Sequence, residues 1–227
     1  MRYLDRAGGA GLAAADHRLL VAMRDCGRQP GVAAAARVLS RSGEHSALWI
    51  AAGLACAKAD RERRRDWLRA TALVGGAHLA SIGVKWAVRR PRPRLPAREP
   101  LVRTAGRYSF PSSHATGAAA ATVAFGVLGP AGRRLVPPLA AAMCVSRLVV
   151  GVHYPTDVAA GALFGALAAR LGAEWLPAPA GGYGAGASGP GCPSWSAAVA
   201  RKAPTPGRTG LRMTGLRRSP AGGGTHG

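Results

Sequence analysis

Apolar residues gather along the chain in blocks. Five stand out: Ser46 to Ala57, Ala70 to Val84, Ala115 to Gly129, Leu135 to Val145 and Val158 to Ala169. All are rich in alanine, a composition that lets helices pack closely. None reaches the roughly 20 apolar residues of an unambiguous spanning helix, although flanking residues lengthen each one. The pattern alone leaves two architectures open, a membrane helical bundle and a soluble Ala-rich bundle. Within the fourth block, Pro137-Pro138 predicts an interruption of the helix.

The two ends differ from this middle. In residues 1–45, Leu12, Leu19, Leu20 and Met23 recur at helical spacing, with Asp16, Arg18, Arg24 and Asp25 between them. That pattern fits an amphipathic helix on a membrane surface and equally a helix packed on the core. Pro30 opens a second short helix. The first ten residues have charges but no apolar run behind them, so no cleavable signal peptide is expected. Residues 177–227 are dominated by Gly, Pro, Ala and Ser, carry Arg201, Lys202, Arg208, Arg212, Arg217 and Arg218, and are expected to form a disordered basic tail. The expected organisation is an N-terminal region, 1–45, a helical core, 46–176, and that tail.

Candidate chemistry clusters at the block ends. The stretch Ser146-Arg147-Leu148-Val149-Val150-Gly151-Val152-His153-Tyr154-Pro155-Thr156-Asp157 joins the fourth block to the fifth. Pro155 disfavours helix at Tyr154 and suits a first helical turn, so one helix is expected to end near Gly151 and another to start near Pro155. His153 then sits in the break, away from the core, with Asp157 one turn into the new helix. A carboxylate on one imidazole nitrogen fixes the tautomer and makes the other a better nucleophile or base. Arg147 brings a fork suited to phosphate oxygens. Taken alone, the stretch reads equally as a loop histidine, a first-turn aspartate and a solvated arginine.

Two further stretches decide between these readings. Lys85 is followed seven residues later by Arg92 and then Pro93, and Pro111-Ser112-Ser113-His114 opens the third block. The order K-x-x-x-x-x-x-R-P, P-S-x-H, S-R-x-x-x-x-x-H-x-x-x-D resembles the three-part signature of the type 2 phosphatidic acid phosphatase superfamily, from about residue 40 to about residue 170. Ser113 departs softly, since many members have glycine there, and a residue that contributes a backbone N–H tolerates serine.

The resemblance implies an all-α membrane helical bundle of about five spanning segments with an amphipathic N-terminal helix. It implies His153 as nucleophile through a phosphohistidine, Asp157 as its orienting carboxylate, and His114 as general acid and then base. It implies Lys85, Arg92, Arg147, Ser112 and Ser113 as phosphate ligands. Ser112 is also expected to cap its helix, and Arg89, Arg90 and Arg94 to meet lipid headgroups. The implied substrate is a phospholipid or polyprenyl phosphate or diphosphate. Phe110 to Thr116 and the residues near His45 are similar to small actinobacterial prenyl-phosphate phosphatases, which points to decaprenyl-phosphoryl-phosphoribose phosphate. Soluble acid phosphatases and vanadium haloperoxidases share the signature. A non-catalytic lipid-binding scaffold would be marked by a lost motif residue, and every one is present.

Charge narrows the partners. A net charge of +21 predicts a polyanionic partner. Aromatics at 5% and basic residues split between loops argue against a nucleic-acid surface. Cys26, Cys56, Cys144 and Cys192 form no paired motif. One aspartate beside three cations suits an anion better than a divalent ion, so no metal and no cofactor are expected. Lys58, Arg61, Arg63, Arg64, Arg65, Arg69, Arg133, Arg134, Arg170 and the tail lie on one side if each block crosses once, against Lys85, Arg89, Arg90, Arg92, Arg94, Arg98, Arg103, Arg107 and Arg147 on the other, three of which are expected to bind phosphate. The positive-inside tendency then predicts a multi-pass cell-membrane protein with its site outside the cytoplasm.

Overall fold

The computed structural model describes residues 2–95, 99–104, 106–172 and 174, the first nine of them as backbone only. The basic tail expected from residue 177 lies outside the described residues. Among the described residues seven helices follow one another: α1 Arg2–Cys26, α2 Pro30–Ser42, α3 Ala47–Ala59, α4 Arg64–Val88, α5 Ser113–Gly126, α6 Pro130–Val149 and α7 Pro155–Gly172. A single 3₁₀ turn, Glu44–Ser46, links α2 to α3. Among the described residues there is no strand, only an isolated bridge between Pro91 and Tyr108. Pro30, Pro130 and Pro155 each stand at the first helical position, where a fixed φ is an advantage and the missing N–H costs nothing.

The expected break at Pro137-Pro138 does not occur, and α6 runs through both prolines. The two bonds they cannot donate would have gone to the carbonyls of Arg133 and Arg134, in the exposed first turns of the helix.

α5 is the centre of the bundle and packs against α4, α6 and α7. Its sequence is apolar or small on every side, as suits a helix buried all round. Ala115, Thr116, Ala118, Ala120, Ala121 and Ala124 are all completely buried. α7 reaches α5 through Gly161 and Gly165, one turn apart. A Cβ at Gly161 would stand 2.5 Å from the Ser112 carbonyl oxygen, and one at Gly165 would overlap the Thr116 carbonyl. Only glycine permits that approach, the small-xxx-small device of close helix packing. It also holds the start of α7 against the start of α5.

Side-chain sizes are distributed inside out. The buried set is mostly alanine, with Trp49, Val74, Phe125, Leu128 and Met143 as its larger members. Outward-facing positions carry the bulk: Leu79, Trp86, Leu135, Leu163 and Leu171 are each more than 60 % exposed. No described helix is both long and apolar enough to cross a membrane by hydropathy alone. α4 has the length, about 37 Å at 1.5 Å per residue, but its ends carry Arg64, Arg65, Asp66, Arg69 and Lys85.

α1 packs on α6 and α7, and α2 on α6. Of the apolar stripe read on α1, Leu20 is fully buried while Leu12 and Leu19 remain exposed. Two residues placed on its polar side, Asp16 and Arg24, are buried. Arg24 donates to the Glu99 and Val149 carbonyls.

The connections sort to two ends. At one, Arg63 in the α3–α4 turn donates to the Leu128 carbonyl in the α5–α6 turn. At the other, the long α4–α5 connection folds over the α6–α7 loop, with the Leu101 N–H on the Val150 carbonyl at 2.9 Å. All three motifs lie at this second end.

Candidate active site

The α6–α7 loop is shaped by its own residues. Gly151 has φ +80°, a left-handed conformation that favours glycine, and a Cβ there would also press on Arg24. Pro155 then starts α7 as its sequence predicts. The Asp157 Oδ2 accepts the Tyr154 N–H at 2.9 Å, so the carboxylate closes the first turn of its own helix. His153 lies between these anchors. It is 2 % exposed, and Asp157 is 0 % exposed. The expectation that His153 lies outside the core is therefore wrong. The loop is a break in helix, but the α4–α5 connection covers it and buries the ring.

His153 Nδ1 lies 3.6 Å from Asp157 Oδ2. That is longer than a hydrogen bond, and catalytic contacts often tighten only with substrate bound. Its Nε2 faces Arg92 Nη1 at 3.5 Å. Arg92 is itself held by the Val152 carbonyl at 2.9 Å and the Gly106 carbonyl at 2.7 Å. Burial, followed by the positive charges of Arg147, Arg92 and Lys85, holds the His153 pKa well below that of an ordinary imidazole. The ring is therefore a neutral base with its outward nitrogen aimed at a cation.

The remaining motif residues surround this pair. The Lys85 ammonium, in the last turn of α4, donates to the Pro111 carbonyl at 2.6 Å and the Ser109 carbonyl at 3.2 Å, fixing the approach to Ser112. Ser112 N donates to the Asp157 carbonyl at 2.9 Å, tying the second motif directly to the third. Ser112 is the N-cap of α5, but its hydroxyl makes no capping bond and is buried without a partner, contrary to the capping expected. A buried unpaired hydroxyl is costly unless something binds it. Arg147 is 3 % exposed, and its Nε is likewise without a partner. Ser113 accepts a hydrogen bond from Ser81 at 2.8 Å. His114 Nε2 lies 2.9 Å from the Ser40 carbonyl. A carbonyl only accepts, so this nitrogen carries a proton and the neutral ring keeps its lone pair on Nδ1.

Three contributors escaped the sequence reading. Ser40, on α2, touches two motifs at once: its carbonyl meets His114 and its hydroxyl accepts from Arg147. Arg90, expected at lipid headgroups, instead donates to Asp157 Oδ1 at 2.7 Å and to Asp16 Oδ2 at 3.0 Å, and lies over the Tyr154 ring at 4.2 Å. Asp16 also accepts the Thr156 N–H at 2.9 Å. Nothing in the local pattern near Asp16 or Ser40 marks them; a second arginine two residues before Arg92 was the available hint.

The model of the PAP2 superfamily matches residues 66–179. The decaprenylphosphoryl-5-phosphoribose phosphatase of Mycolicibacterium smegmatis is 49% identical over 137 residues, 59% of this chain and 73% of that protein. The protein of the same name from Mycobacterium tuberculosis is 45% identical over 140 residues, 61% of this chain and 77% of its own length. In fold, the chain is similar to the crystal structure of a transmembrane PAP2-type phosphatidylglycerolphosphate phosphatase from Bacillus subtilis, with a TM-score of 0.59, 23% identity, and coverage of 73% of this chain and 86% of that one. With the three motifs assembled at one end of the bundle and these likenesses across its core, the chain belongs to the PAP2 superfamily and is a phosphoric monoester hydrolase.

Proposed function

We propose that this enzyme hydrolyses the terminal phosphate of a membrane-embedded prenyl-phosphoryl sugar phosphate, without a metal, through a phosphohistidine at His153. The observation that carries the reading is the setting of His153: Asp157 behind one ring nitrogen, Arg92 in front of the other, and Arg147 and Lys85 close by. His153 Nε2 attacks phosphorus in line and the bond to the sugar oxygen breaks. Lys85, Arg92, Arg147 and the unpaired Ser112 hydroxyl stabilise the charge on the phosphoryl oxygens. His114, neutral in the free enzyme, takes a proton onto Nδ1 from the phosphate monoanion as it binds, gives it to the departing oxygen, and then takes one from the water that attacks the phosphohistidine. Inorganic phosphate leaves and His153 is restored. Asp157 holds the Nδ1 proton and offsets the positive charge of the phosphorylated ring.

The choice of a prenyl-linked phosphoribose phosphate is supported by the relatives at 49% and 45% identity, both decaprenylphosphoryl-5-phosphoribose phosphatases. The membrane setting is supported by the outward bulk of the helices. Leu163, Leu167 and Leu171 form one exposed stripe on α7. In water, leaving three leucines unburied forgoes on the order of 5 kcal/mol; against lipid tails nothing is forgone. Purified protein in detergent, assayed on phosphatidic acid, a prenyl diphosphate and a prenyl-phosphoryl pentose phosphate, is expected to show its highest kcat/KM on the last. Activity is expected to survive a chelator and to be inhibited by vanadate, whose trigonal-bipyramidal form matches an in-line transition state. Preference for a different lipid overturns the substrate, and loss to chelator restored by magnesium or zinc overturns the mechanism.

The same reading places the site outside the cytoplasm. Lys58, Arg61, Arg63, Arg64, Arg65, Arg69, Arg133 and Arg134 lie at the end of the bundle away from the motifs. At the motif end, Lys85, Arg90, Arg92 and Arg147 are engaged in the site. With native cysteines removed, Arg103→Cys is expected to react with an impermeant maleimide in intact spheroplasts, and Ala131→Cys only after lysis. The reverse pattern would put the site in the cytoplasm.

A further inference from the structure

Asp157 is fully buried behind His153. Its two oxygens are held by different groups. Oδ2 takes the Tyr154 N–H at 2.9 Å and faces His153, while Oδ1 takes Arg90 Nη1 at 2.7 Å. The plane of the carboxylate is thereby fixed. Arg90 alone would make Asp157 one half of a neutral pair and weaken its pull on the imidazole. Its other nitrogen meets a second carboxylate, Asp16, at 3.0 Å. Asp16 is 4 % exposed and is anchored by Thr156, the residue beside Asp157, through both the N–H at 2.9 Å and the hydroxyl. The trio of two carboxylates and one guanidinium carries one net formal negative charge, with the Asp157 carboxylate as the member that faces His153.

We propose that Arg90 and Asp16 are positioning residues for the reaction, acting through Asp157, and that α1 thus supplies part of the active site from outside the three motifs. The inference rests on the assignment of His153 as nucleophile. A relay from α1 through Arg90 to the first turn of α7 makes the seating of α1 a condition for catalysis. A truncated chain lacking α1 would hold all eight motif residues and still lose the orientation of Asp157.

The cleft of about 600 Å³ lined by Leu12, Asp16, Arg90, Phe110 and Thr156 opens to the exterior and offers a route to the guanidinium. The experiment therefore uses chemical rescue on the full chain. Arg90→Ala is expected to lower kcat about 10–100-fold, the usual loss when an outer group that orients a reacting one is removed, with KM changed less than about 3-fold. Guanidinium ion at millimolar concentration is expected to restore much of that kcat, whereas methylammonium, which cannot bridge two carboxylates, does not. Arg90→Lys, which keeps the charge but not the fork, is expected to retain a kcat loss of about 10-fold and supplies the measurement if the alanine variant fails to fold. Asp16→Asn is expected to lower kcat, and to lower it no further when combined with Arg90→Ala, as for residues acting as a unit. Arg134→Ala, at an exposed residue in α6 at the end of the bundle away from the motifs, is the control expected at wild-type activity in detergent. Wild-type kcat in the Arg90 variants, a loss confined to KM, or a kcat loss that guanidinium leaves untouched would overturn the proposal. Absence of phosphatase activity in the wild-type protein would instead strike the reading on which it rests.

Discussion

His153→Asn is expected to lower kcat by roughly 10⁵-fold, the scale seen when a nucleophile acting with a coupled partner is removed. It should also abolish a covalent intermediate. Asparagine is the right replacement because the side chain is 2 % exposed. Alanine would leave a cavity beside Arg92 and confuse loss of chemistry with loss of packing. Rapid quenching of the wild-type enzyme with phosphate-labelled substrate is expected to trap label on His153, stable to alkali and labile to acid. The pH profile carries a second signature. Only the neutral ring attacks, and burial together with Arg147, Arg92 and Lys85 depresses its pKa. The acid limb of kcat/KM assigned to His153 is therefore expected below the ordinary imidazole value of about 6.5. A variant that turns over at a tenth of the wild-type rate, or label found elsewhere, would remove His153 from the mechanism.

The second large effect is expected at His114, and its size depends on the leaving group. His114→Asn should lower kcat about 10²–10⁴-fold on an alkyl phosphate, the range for general acid catalysis. A sugar alkoxide departs poorly without a proton, so the acid is needed most there. A nitrophenolate leaves readily unprotonated, so on nitrophenyl phosphate the loss is expected to shrink to a few-fold in the first step. The hydrogen bond from Nε2 to the Ser40 carbonyl at 2.9 Å orients the ring and leaves Nδ1 for the transfer. Equal losses on both substrates would remove His114 as the acid of the first step. A loss that depends on the leaving group identifies proton transfer, since misfolding and lost phosphate binding lower both alike.

The parts of this protein legible from sequence are those that depend on neighbours in the chain. Pro155 and Gly151 mark where one helix stops and the next begins because their restrictions on φ are local, and the helices end and start there. The eight motif residues are recognisable by spacing, and alternation of the helices brings their ends to one side of the bundle. What the sequence could not reveal depends on residues far apart in the chain. Asp16 meets Thr156 across 140 positions, and Ser40 meets Arg147 across 107. Both partners outside the motifs sit on α1 and α2, where the local pattern is that of ordinary amphipathic helices. Arg90 looked like one more surface charge because its pairing requires α1 and α7 to be side by side. His153 looked exposed because a loop in sequence was read as a surface in space. The inversion of alanines inward and leucines outward is also a tertiary result. In helices that are apolar on every side, periodicity does not mark a buried face, so the choice falls to backbone proximity. Gly161 and Gly165 let α7 touch α5 along a seam of small residues, and the large side chains are left facing out.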